Sequence, residues 1–334
     1  MINTKKISKK TFNLIVFLLL VINSYLYLSQ NLNLSEVPKL KLKDALFNVS
    51  RWGFFKNIKP VPAEMNDIVV ISIDEDSYQR LNKKWPWGRD VFAEFLRKLN
   101  AFKPRVVAMD FSFFGRTTDS EQADLDFAQA IKDSGNIILA CSYGKQNIYI
   151  EPEKIFRDSA LAYGVVPYIR DKDNIIRKIQ PFTLVLSPHK SADFSFEVKT
   201  SAVYLGIPQN NITHEPNRII LKFPEDPRFE KRDIIIPLDE ENWMNINYFQ
   251  KFQEMNVIPF WRVYERGLRK EFLKNKLVIV SQTGELFHDL HLSPFGLQPG
   301  GAIIANAMGT ILSGSFLKEV PKGVYYFILI LVCL

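Results

Sequence analysis

Three apolar runs in this chain each end on acids and hydroxyls. IVVISID carries Asp74 and leads to Asp76 and Ser77; RVVAMD ends on Asp110, with Ser112 just after; LVIVSQT ends on Ser281, Gln282 and Thr283, with His288, Asp289 and His291 following. In open α/β sheets ligands sit outside the C-terminal ends of the strands, at a topological switch point. If the three runs are neighbouring strands, Asp74, Asp110 and Asp289 converge on one cleft. Their carboxylates then suit a divalent cation or a cationic ligand. The same residues also have structural uses. An acid or serine between a strand and a helix is an ordinary N-cap, and Asp76 or Ser77 is placed for that. Asp110 can equally belong to a satisfied hydrogen-bond network with Arg89 or Arg105. His288 and His291 have helix-type spacing, but Pro294 and Gly296 place them in a loop.

A second cluster is WPWGRD, Trp85 to Asp90. Pro86 stiffens the turn, and Trp85, Trp87 and Arg89 offer a broad amphipathic surface for a ligand or a second copy. Alternatively the two indoles cover one end of the core and Asp90 caps the next helix. No G-x-G-x-x-G, P-loop, G-x-S-x-G, H-E-x-x-H, kinase or cyclase signature occurs. The four histidines, His189 and His214 in polar loops among them, give no obvious nucleophile-base pair. No catalytic residue, metal site or cofactor is expected, and the chain does not read as an enzyme.

The elements that position these residues are legible in the periodicity. IVVISID, RVVAMDFSF and NIILACS read as buried strands, separated by helices at RDVFAEFLRKLNAF and Asp124 to Lys132. Strands separated by helical crossovers imply a parallel sheet with helices on its faces. From about residue 160 to 255, segments such as IIRKIQPFTLVL and RIILKF suggest antiparallel hairpins, interrupted by one helix at FSFEVKTSAVYLG. A last buried strand at Leu277 to Gln282 is followed by a polar loop, the turn QPGGA and the helix AIIANAMGTILSG. The fold class is α/β: a parallel-sheet core with flanking helices and an inserted antiparallel region.

Composition sets the frame. A chain that is 47% hydrophobic and 24% charged is globular, and a net charge of +7 scattered among acids makes no stripe for nucleic acid. Thr11 to Leu28 is an apolar run of 18 residues, enough to cross a bilayer core of ~30 Å. Lys5, Lys6, Lys9 and Lys10 precede it, which favours a cytoplasmic start, and no small-residue cleavage pattern follows it. Val324 to Leu334, 11 residues, reaches only part of the way across. The expected layout is a cytoplasmic start (1–10), a transmembrane helix (11–29), an extracytoplasmic domain (30–322) and the beginning of a second, truncated transmembrane helix (323–334). With only Cys141 and Cys333 there is no disulfide framework; both lie in apolar runs and read as small buried hydrophobes.

The run DIVVISIDEDSYQRLNKKWPWGRDVFAEFLRKLNAFKPRVVAMDFSFFG resembles the start of the CHASE domain, type 2, an extracellular sensory module associated with cyclases, histidine kinases and Ser/Thr kinases. AYGVVPYIRDKDNIIRKIQPF, FSFEVKTSAVYLG, MNINYF and KLVIVSQTGELFHDLHLSPFGLQPGGAIIANAMGTILSGSFL match in order, so the resemblance runs from about Leu40 to Val320. The family usually has Pro where Gly88 stands, Gly where Asn174 stands, and a VGA-like end at residues 281–283. The resemblance implies a plasma-membrane receptor with the domain outside and an output domain, cyclase or kinase, inside. The expected partners are the lipid bilayer, a small-molecule or environmental stimulus and a second copy in a homodimer. The ligand-binding candidates are Asp74, Asp76, Trp85, Trp87, Arg89, Asp110 and Asp289. Two other functions fit the residues less well: a non-catalytic dimerisation or envelope-protein interaction module, and a metal-dependent hydrolase on Asp74, Asp110 and Asp289.

Overall fold

The computed structural model describes residues 60–317 apart from 117–119, 144–147, 185–191, 226–231 and 266, together with Leu40, Lys41, Asp44 and Asn48. The chain divides into two compact units, Ile58–Leu317 and a second made of Met1–Asn57 with Lys318–Leu334. Both apolar segments, 11–28 and 324–334, lie outside the described residues, as do residues 31–59 apart from the four helical positions 40, 41, 44 and 48. Among the described residues no helix is long and apolar enough to cross a membrane.

Strand β1 (Ile68–Ile73) leads through α1 (Glu75–Leu81) and α2 (Arg89–Asn100) to β2 (Val106–Met109). Helix α3 (Glu121–Ser134) then feeds β3 (Ile137–Tyr143), β4 (Tyr149–Ile150), the single turn α4 (Lys154–Arg157) and β5 (Ala162–Val165). Short strands follow: β6 (Tyr168–Arg170), β7 (Ile176–Ile179), β8 (Phe182–Leu184) and β9 (Ala192–Phe194). After α5 (Phe196–Leu205) come β10 (Ile212–Glu215), β11 (Arg218–Leu221), β12 (Ile234–Pro237) and β13 (Met244–Asn245). The chain returns to the core through β14 (Asn256–Pro259), α6 (Phe260–Tyr264) and β15 (Leu277–Gln282). It ends its described part with the hairpin β16 (Leu290–Ser293) and β17 (Gly296–Pro299), then α7 (Gly300–Ser313).

The core sheet runs β14-β1-β15-β2-β3-β5, all parallel, with β4 antiparallel on the end of β3. Its inner strands β1, β15, β2 and most of β3 are buried on both faces, the usual state of a parallel sheet covered by crossovers. Successive side chains point to opposite faces. Val69, Ile71, Val107, Met109, Val278 and Val280 therefore pack under α2, α3 and α6, while Val70, Ala108, Ile279 and Leu277 pack under α5 and α7. Helix α2 contributes Val91, Phe92, Phe95, Leu96 and Leu99, the stripe its sequence period requires. The inserted region consists of three separate small sheets, β10-β11-β12, β13-β7-β6 and β8-β9, all antiparallel. Helix α5 begins at the Ser195 cap and stops at Gly206, whose φ of 79° suits glycine. Asn174 sits at φ 65°, a left-handed turn position that glycine fills with less strain.

QPGGA is not a loop. Gln298 and Pro299 complete β17, and the two glycines open α7. His291 likewise stands in a hairpin strand, because Ser293 and Gly296 pair across a tight turn.

Candidate functional site

The ends of β1, β15 and β2 are adjacent, as the acid clusters require, but their acids part company. Asp74, not Asp76 or Ser77, caps α1: its Oδ1 accepts the Ser77 amide at 2.8 Å, with its own backbone extended at φ −114°. The helix begins at Glu75, directly after Asp74, so the first acid of the cluster takes the cap. Asp76, already inside the helix, faces solvent and pairs with Arg80 at 3.2 Å. Beside this corner the Ser72 and Thr283 hydroxyls share a hydrogen bond that ties β1 to the end of β15.

The tryptophan turn closes the core. Trp87 is 3% exposed and packs on Phe260 at 5.0 Å, so it presents no surface to a ligand or a second copy. Trp85 is half-buried between Trp87 and Phe287, at 5.2 and 4.6 Å. Arg89 lies over the Phe113 ring and pairs with Asp124 at 3.7 Å rather than with Asp110. Burial lowers Arg89, and the Asp124 charge opposes the shift. Asp90 is not the cap of α2. Gly88 holds that position, and Asp90, the second residue of the helix, pairs with Lys83 at 3.3 Å. A Cβ at Gly88 would lie 2.3 Å from Asp90 Oδ1, so the carboxylate occupies the space a cap side chain would need.

Asp110 and Asp289 do meet. They line a cleft of about 540 Å³ at the ends of β2 and β3, walled by Phe111, Tyr143, Tyr168 and Gln180. The Ser281 hydroxyl donates to Asp110 Oδ2 at 2.9 Å, across from the neighbouring strand. Asp289 is held by the start of α7. The Gly300 amide donates to the Asp289 carbonyl at 3.0 Å, and a Cβ on Gly300 would lie 2.5 Å from Asp289 Oδ2. A Cβ on Gly301 would lie 2.7 Å from the Ser281 Cβ. The two glycines thus leave room for Asp289 and for the serine that holds Asp110. They also bring Asp289 to a helix N-terminus, where the backbone favours negative charge. His291 bridges outward: Arg170 donates to its Nδ1 at 3.0 Å, so Nε2 carries the proton and donates to Asp289 Oδ1 at 2.9 Å. Tyr168 donates to the Gly300 carbonyl at 3.0 Å. His288 is exposed and does not line the cleft.

Asp74 is absent from this cleft, so the three-carboxylate cation site does not form. No group of three His, Cys, Asp or Glu side chains among the described residues could hold a metal ion. The acid that joins the pair is one the sequence did not single out: Glu197, in the first turn of α5, is fully buried and neither of its oxygens has a hydrogen-bond partner.

The family model for the CHASE2 domain matches residues 14–334, wider than the resemblance legible in the motifs. The chain belongs to the CHASE2 domain family. No curated protein and no solved structure matches it.

CHASE2 domains are sensory modules rather than catalysts. The electrostatics of the Asp110–Asp289 cleft are unusual for a surface cleft. Desolvation pushes Asp110 up to about 8, with Asp289 and then Glu197 adding to the rise against the Ser281 hydrogen bond. Burial pushes Glu197 up to about 7. Burial and the same three acids hold the Tyr168 hydroxyl well above its ordinary value, so it remains a donor. In this CHASE2 domain Cys141 is 2% exposed in the cleft wall, as expected of a small buried hydrophobe.

Proposed function

We propose that this CHASE2 chain is the sensory part of a membrane receptor and that its stimulus is a small molecule bound in the Asp110–Asp289 cleft. The observation that carries this reading is the pair of glycines at the start of α7, which make room for one acid of the cleft and for the hydrogen-bond partner of the other. A cavity of about 540 Å³ falls in the usual range for small-molecule sites, ~300–1,000 Å³. The apolar run at 11–28, with lysines before it, supports an anchored domain on the outer side of the plasma membrane. The resemblance supports an output domain of the cyclase or kinase class on the inner side.

The route of the signal follows from connectivity. Asp289 lies between β15 and the β16–β17 hairpin that runs directly into α7, and the chain beyond α7 leads to the apolar run at 324–334. A ligand that binds one placement of Asp289 better than another biases the start of α7. Only such differential affinity shifts a conformational equilibrium. The test is hydrogen exchange on the full chain in nanodiscs during a broad small-molecule screen. A stabilising compound is expected to slow exchange at residues 289–301. If no compound raises the melting temperature, the sensory reading of the cleft fails.

A further inference from the structure

We infer that the ligand of this cleft is an organic ammonium, a small amine or quaternary amine seated between Asp110, Asp289 and the aromatic wall; the inference rests on the cleft being the sensory site. Charge decides the class. Asp110 and Asp289 line the cleft, whereas no lysine or arginine does, so the lining offers an anion no cationic side chain of that kind. Behind them Glu197 is buried with no hydrogen-bond partner for either oxygen, and its charge raises Asp110. A buried carboxylate without a partner is expensive. Asp110 and Glu197 meet that cost by keeping their protons, and a cation seated in the cleft takes the place of one.

Chemistry then separates an organic cation from a metal ion. Both His291 nitrogens are engaged, one by Arg170 and the other by Asp289, and no three ligand side chains converge. A cleft of about 540 Å³ is also far larger than a bare ion needs. Phe111, Tyr143 and Tyr168 line the cleft, and aromatic rings attract ammonium groups within about 6 Å. A neutral ligand would bring no charge to set against the two acids.

Binding exchanges a cation for a proton. The groups that face Asp110 are Asp289 and His291 from the hairpin segment, Glu197 from α5, Tyr168 from β6, Cys141 and Tyr143 from β3, and the Ser281 hydroxyl from β15. Asp110 keeps its proton to about pH 8, whereas alkylammonium ions stay charged to higher pH. One proton is therefore released per ligand below that point, and affinity rises with pH by about tenfold per unit until it levels off.

The test uses the full chain in detergent, with choline and putrescine as probes, the neutral carbon isostere of choline and butanediol as controls, succinate as the anion and manganese as the metal. Choline or putrescine is expected to bind and to tighten about tenfold per pH unit below about pH 8. In Asp110→Asn and in Asp289→Asn, affinity is expected to fall by tenfold or more while cooperative melting is kept. Binding of the neutral isostere, succinate or manganese in place of the amines, with the same dependence on Asp110, overturns the ammonium class and leaves the sensory cleft standing. Amine binding that ignores both substitutions overturns the site. No binding by any probe, followed by a broad screen without a stabilising compound, removes the sensory reading as well.

Discussion

Asp110 is the residue whose substitution reads the cleft most directly. The folded chain holds its proton to about pH 8, whereas the unfolded chain releases it near the ordinary ~3.9. Between those values the native state binds more protons than the unfolded one, so stability falls as pH rises. Below ~pH 4 both states are protonated and the cost vanishes; above about pH 8 it is complete. Glu197 adds the same slope up to about 7. Asp110→Asn keeps an acceptor for Ser281 and removes the charge. Its melting temperature should therefore match wild type near pH 4 and exceed it by about 5 °C or more near pH 9, from a few kcal/mol of relieved desolvation. Parallel melts across that range check this, and a constant difference at all pH values would show that Asp110 is not the titrating group. Gly300→Ala tests the room left for Asp289. The added Cβ would lie 2.5 Å from Oδ2, so the carboxylate must move, at a cost of about 1–3 kcal/mol. Asp289→Ala in the same chain should recover most of that cost, and a double-mutant cycle by denaturant melts measures the coupling.

At the scale of elements, what could be read in advance was whatever a local pattern encodes. IVVISI, VVAM and LVIVSQ are apolar on both faces, as strands of a covered parallel sheet must be. The stripe of α2 and the serine and glycine that bound α5 are equally local signals. Pairing partners are not local. β15 lies between β1 and β2 although about 170 residues separate it from β2, and Asp110 meets Ser281 at a sequence distance of 171. No residue near Asp110 announces that serine. The arginines nearer in sequence were the visible candidates, and Arg89 had its own acid in Asp124. Glu197 was hidden differently, since an acid in a first helical turn is ordinary and only the packing of α5 makes it buried. The doublet Gly300–Gly301 was the one local clue, because two glycines opening a helix signal a close approach. The tryptophan turn carries the element-scale prediction. Trp87→Ala removes an indole from the core and should cost about 3–5 kcal/mol. Trp85→Ala, half-exposed, should cost clearly less. Equal losses in urea melts would contradict the placement of Trp87 inside.

For the molecule as a whole, sheet order links completion of the fold to completion of the site. β1 pairs with β14 and β15, and β2 pairs with β15 and β3, so the two strands formed first in the chain are joined only through one made much later. Without β15 each would expose a row of unpaired backbone groups along an apolar edge. The same strand delivers Ser281 to Asp110, and the segment after it delivers Asp289 and the glycine-led helix that covers Val70, Ala108 and Ile279. A fragment of residues 58–276 therefore keeps every residue of β1, β2 and β3 yet lacks both their central partner and the helix that shares one face of their core with α5. It is expected to lose cooperative unfolding and to bind hydrophobic dyes, while 58–317 melts in a single transition. Calorimetry of the two fragments decides the matter, and a sharp melt of the shorter one would mean that β1 and β2 find another pairing. Because the sheet and the cleft share β15, the proposed signal is expected to be a shift of Asp289 and α7 against a preformed sheet rather than the assembly of the site.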